Sequence, residues 1–507
     1  MIVPLLYACS LAFLLGILFV IVVVPWTRYI RRPRLREALR HQYGLSADFS
    51  LIAFFHPYCT SRGGGERVLW AAIKSMELIK GKPAILVIYT SDSNCIKNRA
   101  QVLREVRQTF GVQLDAKASI HFVLLRGTLL LSPQLYPVLT LAGQALGSVL
   151  VCLEALIRCP PDIFIDTTGF AFILPLAKRL FGAKTAAYVH YPTVSSDMID
   201  RVSAGLHRSE NDLAGETYNN ASWIRNSAFM TRIKLLYYRS LIGAYRWVGS
   251  PSNTDCVMTN STWTRNHILS LWNGDPSIVY PPCPTEDLAS GDSDERQPWI
   301  MSVGQFRPEK NHELQIEAFL QFLTRNALGT RADGHPYRLL LIGGCRDATD
   351  FARVDQLRQL VRTRDLENVV QFHINVSYSH LKRYFHQCMI NLHTMVDEHF
   401  GIGIVEGMAA GLITIAHNSG GPKSDIIGPA RASCSDQDQN VSIEPVSVGF
   451  LARTVEEYAL TFEHVMMRMS DAQKDAMRKH ARLWVQKKFS ELCFSKSWLN
   501  NMQDLGL

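Results

Sequence analysis

The chain has 507 residues, 47% of them hydrophobic, and a formal net charge of +8. That length predicts two ordinary domains plus an appendage, and so modest a charge excludes a dedicated nucleic-acid binder while suiting anionic ligands or a membrane surface. Eleven cysteines without paired CxxC spacing exclude a disulfide framework and a zinc site, and point to reduced thiols in the cytosol.

Leu5 to Val24 is an uncharged run of twenty residues. Twenty helical residues rise about 30 Å, the hydrocarbon thickness of a bilayer. No cleavable-signal pattern accompanies it. Arg28, Arg31, Arg32, Arg34, Arg36 and Arg40 follow with only Glu37 opposing them, so the positive-inside rule places the rest of the chain in the cytosol. Residues 1–45 are therefore expected to be a transmembrane anchor and basic linker.

Apolar strands then alternate with helical stretches. FSLIAFF, PAILVIYT, SIHFVLL, DIFID and KTAAYVH predict a parallel sheet with crossover helices in a domain spanning 46–285. TEDLASGDSDERQP (Thr285 to Pro298) is polar, turn-rich and expected to be a linker. The alternation restarts with WIMSVG, YRLLLIGG, VVQFHI, CMINLHT and LITIAHN, and helices are expected from Thr454 onward, giving a second α/β domain over 286–507. Two such units form a cleft, and sheets of this kind bind ligands at the carboxyl ends of their strands. Leu129 to Ile157 and Phe229 to Ser250 are unusually apolar. The second mixes aromatic and basic residues as an interfacial helix does, with a buried crossover helix as the alternative for each.

The chemistry-bearing residues sit after strands. Gly63, Gly64 and Gly65 lie between a strand and a helix, where a bare backbone can approach an anion. A nicotinamide-dependent oxidoreductase would need a third glycine where Val68 stands, although Asp92 could imitate its ribose-binding acid. His190 follows a strand and faces the expected cleft. Arg307 and Lys310, three residues apart in a strand-to-helix turn, suit a diphosphate leaving group. In EHFGIGIVEGMAAG, Glu398 occupies a turn, a helix starts at Ile402 and carries Glu406, and Gly411 closes it. Carboxylates accept hydroxyl protons and a helix start attracts phosphate. The next strand ends at Gly420 and Gly421. Asp292 to Asp294 lie in the linker, and no metal or other cofactor is expected.

The paired Glu398 and Glu406 before AAG, in order with the glycine loop, strand-end histidine and PEK turn, resemble retaining glycosyltransferases of family 4, which have the GT-B fold. FFHPYC, GGGERVLW, YVHYPT, NHILSLW, IVYPPC, VGQFRPEKNH, LIGGCR and EHFGIG together resemble the GDP-mannose-dependent α-1,2-mannosyltransferases of dolichol-linked oligosaccharide synthesis in that family. The resemblance implies GDP-mannose as donor and a dolichol-diphosphate-linked trimannosyl oligosaccharide as acceptor. It implies addition of the fourth and fifth mannoses at the cytosolic face of the endoplasmic reticulum membrane, beside other mannosyltransferases of the pathway. It also implies site roles. Gly63, Gly64 and Gly65 would lie against the donor diphosphate, His190 would touch the transferred mannose, and Arg307 and Lys310 would hold the diphosphate. Glu398 would bind sugar hydroxyls, the backbone of Phe400, Gly401 and Ile402 the phosphates, and Glu406 the ribose. Many family members have arginine at the position of Gln305, so Gln305 and Arg307 stand as alternative phosphate contacts. A catalytically silent membrane-tethered scaffold is the rival from another class.

Overall fold

The computed structural model describes residues 18–61, 63–79, 83–115, 119–193, 228–289, 296–326, 334, 336–429 and 447–507. Most of the expected membrane span, residues 5–17, lies outside the described residues, as do Asp292 to Asp294. The chain divides into two compact units. One comprises the residues up to Asn260 together with Thr264–Val279 and Ser497–Leu507; the other comprises Ser261–Trp263 and Tyr280–Lys496.

Helical turns from residue 18 to Arg31 continue into α1 (Arg32–Tyr43), which ends on Gly44 at φ +63°. Asp162 receives both Arg32 and Arg36 and thereby fastens α1 beside β4. The first unit then runs β1 (Ser50–Phe55), α2 (Gly64–Met76), β2 (Ala84–Thr90), α3 (Arg99–Phe110), β3 (Ile120–Leu124), α4 (Thr140–Arg158), β4 (Ile163–Asp166), β5 (Lys184–Val189), α5 (Ala228–Val248), β6 (Cys256–Thr259), α6 (Thr262–Leu271) and β7 (Ser277–Ile278). Its sheet is wholly parallel, in the order β3-β2-β1-β4-β5-β6-β7. Every residue of β1 is buried, as a strand covered on both faces requires.

The second unit contains α7 (Thr285–Ala289), β8 (Gln297–Val303), α8 (His312–Asn326), β9 (Arg338–Gly343), α9 (Ala348–Thr363), β10 (Val370–Ile374), α10 (Tyr378–Gln387), β11 (Cys388–Leu392), α11 (Ile402–Ala409), β12 (Ile413–His417), β13 (Phe450–Ala452), α12 (Val455–Glu463), α13 (Asp471–Phe489) and α14 (Glu491–Gln503). Its parallel sheet runs β10-β9-β8-β11-β12-β13. Each unit is thus a Rossmann-like doubly wound sheet. Strand order reverses between β1 and β4 in the first and between β8 and β11 in the second, and such switch points are where open α/β sheets take ligands.

Three details depart from the sequence reading. Thr285–Ala289 of the expected linker is helical. Two very short strands, β7 and β13, and the four-residue β6 went unforeseen, since so few residues carry little periodic signal. The final segment, 497–507, packs with the first unit. Trp498 is fully buried there, its ring 6.3 Å from Phe54 and 6.1 Å from Tyr188, and Lys184 Nζ donates to the Leu505 carbonyl at 2.9 Å.

Candidate active site

At the switch point of the second unit, the loop after β8 meets the loop after β11. Pro308–Lys310 forms a short 3-10 turn. Lys310 Nζ donates to Glu398 Oε2 at 2.7 Å, and His393 Nε2 lies 3.0 Å from the same oxygen. Burial alone would raise the Glu398 carboxyl. The hydrogen bond with His393 and the charge of Lys310 outweigh it and hold the group well below the usual carboxylate range. The stem of Lys310 lies across Gly304, where an added Cβ would stand 3.4 Å from Lys310 Cγ and Cδ. The Lys310 carbonyl also accepts from Thr394 Oγ1 at 2.8 Å, so the turn is tied to the end of β11 at main chain and side chain.

The Glu398 loop is seated on a glycine pair. Gly420 has φ +57°, and a Cβ there would come within 2.4 Å of the Glu398 carbonyl. Gly421 N donates to that carbonyl at 2.8 Å, and Ser419 Oγ accepts from Asp397 N at 2.7 Å. Only glycine at both positions lets the loop lie this close. Gly401 takes φ +105° and starts α11, which has no side-chain cap and no acid in its first turn. Its positive end therefore keeps its electrostatic attraction for an anion. Glu406 is buried on the second turn of α11, as expected of its spacing.

Other expected residues divide. Phe400 is a core residue, with its ring 5.7 Å from Tyr280 and 5.3 Å from Phe489, so only its backbone is available to a ligand. Ile402 opens α11 and packs against the same core. Arg307 is half-exposed and its guanidinium lies 3.6 Å from Glu309, its neighbour in the turn, not against Glu398. Gln305 is partly buried and its carbonyl accepts from Arg307 N at 2.8 Å.

In the first unit, Gly63 precedes α2, and Glu66 turns back to accept from Gly63 N at 2.8 Å. The other oxygen of Glu66 is 3.4 Å from His56 Nε2, and His56 Nδ1 is 2.8 Å from Thr167 Oγ1. Gly64 and Gly65 form the first turn of α2. Gly65 faces His190, whose Nε2 would lie 3.5 Å from a Cβ on the glycine and is 3.2 Å from the Thr167 carbonyl. The structure thus brings the glycine loop, the β4 turn and His190 together at the switch point of this unit. Asp166 pins the β4 turn, accepting from Thr168 N at 3.0 Å and Thr168 Oγ1 at 2.9 Å. A cavity of about 300 Å³ adjoins His190, bordered by Leu141, Gln144 and Ser148 of α4 and by Thr168, Phe170 and Thr193. Val68 is a fully buried core residue. Asp92 accepts from Thr60 Oγ1 at 2.9 Å and Asn94 N at 2.8 Å, joining the loops that follow β1 and β2.

His393 and His56 escaped the sequence reading. Both directly follow a strand, β11 and β1 respectively, so the signal that singled out His190 would have found them.

The chain is similar to known proteins along most of its length. Residues 50–272 match the family model described as ALG11 mannosyltransferase N-terminus, and residues 285–444 match Glycosyl transferases group 1. The human GDP-Man:Man(3)GlcNAc(2)-PP-Dol alpha-1,2-mannosyltransferase is 42% identical over 461 residues, covering 90% of this chain and 87% of that enzyme. The Xenopus laevis enzyme of the same name is also 42% identical, with the same coverage. Among solved structures, a sucrose-phosphate synthase from Thermosynechococcus elongatus superposes with a TM-score of 0.61 at 14% identity, over 90% of this chain and 99% of that one. A glycosyltransferase from Rickettsia africae gives 0.57 at 14% identity with the same coverage. These two establish the GT-B fold.

Proposed function

Because the chain belongs to the family of GDP-Man:Man(3)GlcNAc(2)-PP-Dol alpha-1,2-mannosyltransferases, we propose that it transfers mannose from GDP-mannose to the dolichol-diphosphate-linked trimannosyl oligosaccharide. It adds the fourth and fifth mannoses, both α-1,2 linked, at the cytosolic face of the endoplasmic reticulum. The observation that carries the reading in the structure is the Lys310–Glu398–His393 cluster beside the uncapped start of α11.

An α-linked donor giving an α-linked product requires retention. The C1–phosphate bond breaks, the acceptor hydroxyl bonds to C1 on the same face, and its proton passes to the departing diphosphate. No enzymic nucleophile is then needed, and the protein contributes position and charge. Lys310 and the α11 N-terminus stabilise the leaving diphosphate, with Arg307 or Gln305 adding a contact from the turn. Glu398, kept ionised, orients Lys310 and accepts sugar hydroxyls, while Glu406 accepts from the ribose. Gly63, Gly64 and Gly65 admit the diphosphate from the first unit, and His190 contacts the transferred mannose. The cavity beside His190 suits the acceptor's terminal sugar, since it combines hydroxyls with apolar walls. No observation favours the silent scaffold, which would have no use for a partly buried, compensated Lys310–Glu398 pair.

Membrane attachment combines the expected span at Leu5 to Val24 with a second contact on the first unit. Leu129, in the 3-10 turn Gly127–Leu131, and Leu146 of α4 are 80% and 65% exposed, and Phe229 and Leu236 of α5 are 70% and 66% exposed. Tyr237 Oη accepts from Ala142 N at 3.0 Å and joins the two helices. So large an apolar face, flanked by Arg232, Lys234 and Arg239, suits a lipid interface. Other mannosyltransferases of the pathway are its expected neighbours there.

Transfer from GDP-mannose to purified trimannosyl dolichol-linked acceptor, with linkage analysis, tests the activity. Two added α-1,2-linked mannoses are expected. Absence of transfer from GDP-mannose, with GDP binding intact, would return the silent scaffold.

A further inference from the structure

A second cavity, of about 370 Å³, opens in the first unit along the outer edge of β3, apart from the one beside His190. Arg31, Arg126, Arg158 and His121 line it together with β3 itself. Of these three guanidinium groups, only that of Arg158 pairs with a carboxylate among the described residues. Glu154 pairs with Arg158 at 2.9 Å, and its oxygens also accept from Arg126 N at 3.0 Å and Gly127 N at 2.9 Å. The Arg126 side chain is exposed and forms no ion pair among the described residues. Arg31 makes one long bond, 3.4 Å to the Arg158 carbonyl, and its buried Nε has no hydrogen-bond partner. Arg99 lies near enough to depress His121, which burial already disfavours as a cation, so the imidazole is a neutral donor or acceptor at the rim.

A surplus of guanidinium groups around a neutral imidazole matches a phosphate, which takes several N–H donors at once and supplies the missing charge. Position selects the source. Arg31 follows Val24 by about 10 Å of continuous helix. The headgroup layer adds about 5–8 Å beyond the hydrocarbon on each side, and an arginine side chain reaches across the remainder. We propose that this cavity binds the phosphate of an anionic phospholipid headgroup and so fixes the first unit against the bilayer beside its anchor. The assignment rests on the membrane-anchored reading, because a pocket remote from lipid would meet only free phosphate.

The test is thermal unfolding of the full chain in neutral detergent with dihexanoyl phosphatidic acid, dihexanoyl phosphatidylcholine or inorganic phosphate. A ligand that binds only the folded state raises the transition in proportion to its occupancy. Phosphatidic acid is expected to raise the transition, with much smaller shifts from the other two. R126E and R31Q should each weaken the apparent affinity by roughly tenfold, the loss of one charge-assisted hydrogen bond. The shift caused by GDP should persist in both variants. Equal phosphatidic acid response in R126E and wild type, or an equal shift from inorganic phosphate, overturns the proposal; the exposed position of Arg126 keeps this arm decisive if R31Q folds poorly. Flotation of the wild-type chain with liposomes is read separately, and its failure overturns the anchor reading on which the lipid assignment depends.

Discussion

Lys310 Nζ and Glu398 Oε2 stand 2.7 Å apart across the switch point of the second sheet, with the side chains 24% and 13% exposed. Breaking such a pair from one side leaves the other charge uncompensated, whereas removing both does not. The two residues should therefore behave as one functional unit.

Glu398→Gln and Lys310→Met are each expected to reduce mannose transfer at least tenfold, since a hydrogen bond to a charged group contributes about 1.5–3 kcal/mol. The double variant should lose clearly less than the product of the two single losses. Initial rates of transfer from GDP-mannose supply the cycle. Strictly multiplicative losses would show that the ion pair does not couple the residues in function.

Stability should fall in mild acid through His312, which is buried against Phe306 with ring centroids 5.1 Å apart. Burial, then the charges of Arg353 and Lys310, push its pKa down to about 3. The unfolded chain takes up this proton near pH 6.5 and the folded chain does not, so stability declines as pH drops from about 6.5 towards 3. At pH 5 the loss from this group is about 2 kcal/mol. Glu398 adds to the decline lower down: its depressed folded pKa gives a contribution that is complete above about pH 4.5 and lost as pH falls through the folded value. Denaturant midpoints at pH 7 and pH 5 should differ less for His312→Phe than for wild type. Equal pH dependence in the two chains would refute the assignment.

Gly65→Ala separates ligand space from folding. The added methyl would lie 3.5 Å from His190 Nε2, an ordinary contact, and alanine is the better helix former by about 1 kcal/mol. Unfolding should be unchanged or slightly later, yet transfer should fall severalfold because the gap between glycine and histidine narrows. Full transfer by this variant would mean that the donor does not pass between them.

On α5, the two adjacent leucines are not equivalent. Leu235 is 8% exposed and Leu236 is 66% exposed. Leu236→Glu is expected to reduce both flotation with anionic liposomes of a chain shortened to begin at Leu18 and transfer to the dolichol-linked acceptor, with GDP binding retained. Leu235→Glu should instead destabilise the first unit, because it places a carboxylate charge at a buried position. Identical behaviour of the two variants would identify α5 as a core helix throughout.

The alternation of short apolar runs with helical stretches determined by itself that the chain folds as two parallel α/β units. Strand and helix periods are local properties, read from neighbours a few residues apart. The same locality exposed the glycine loop, His190, the PEK turn and the Glu398–Glu406 pair, since each sits where a strand gives way to a helix. Tertiary structure alone decided which of these meet. Lys310 turned to Glu398, 88 positions away, while Arg307 stayed with Glu309. Trp498 returned the end of the chain to the first unit, and Leu235 was covered while Leu236 was left open. Composition marks which residues are apolar or charged; parallel strand order and helix rotation, fixed by non-local packing, decide which of them find a partner.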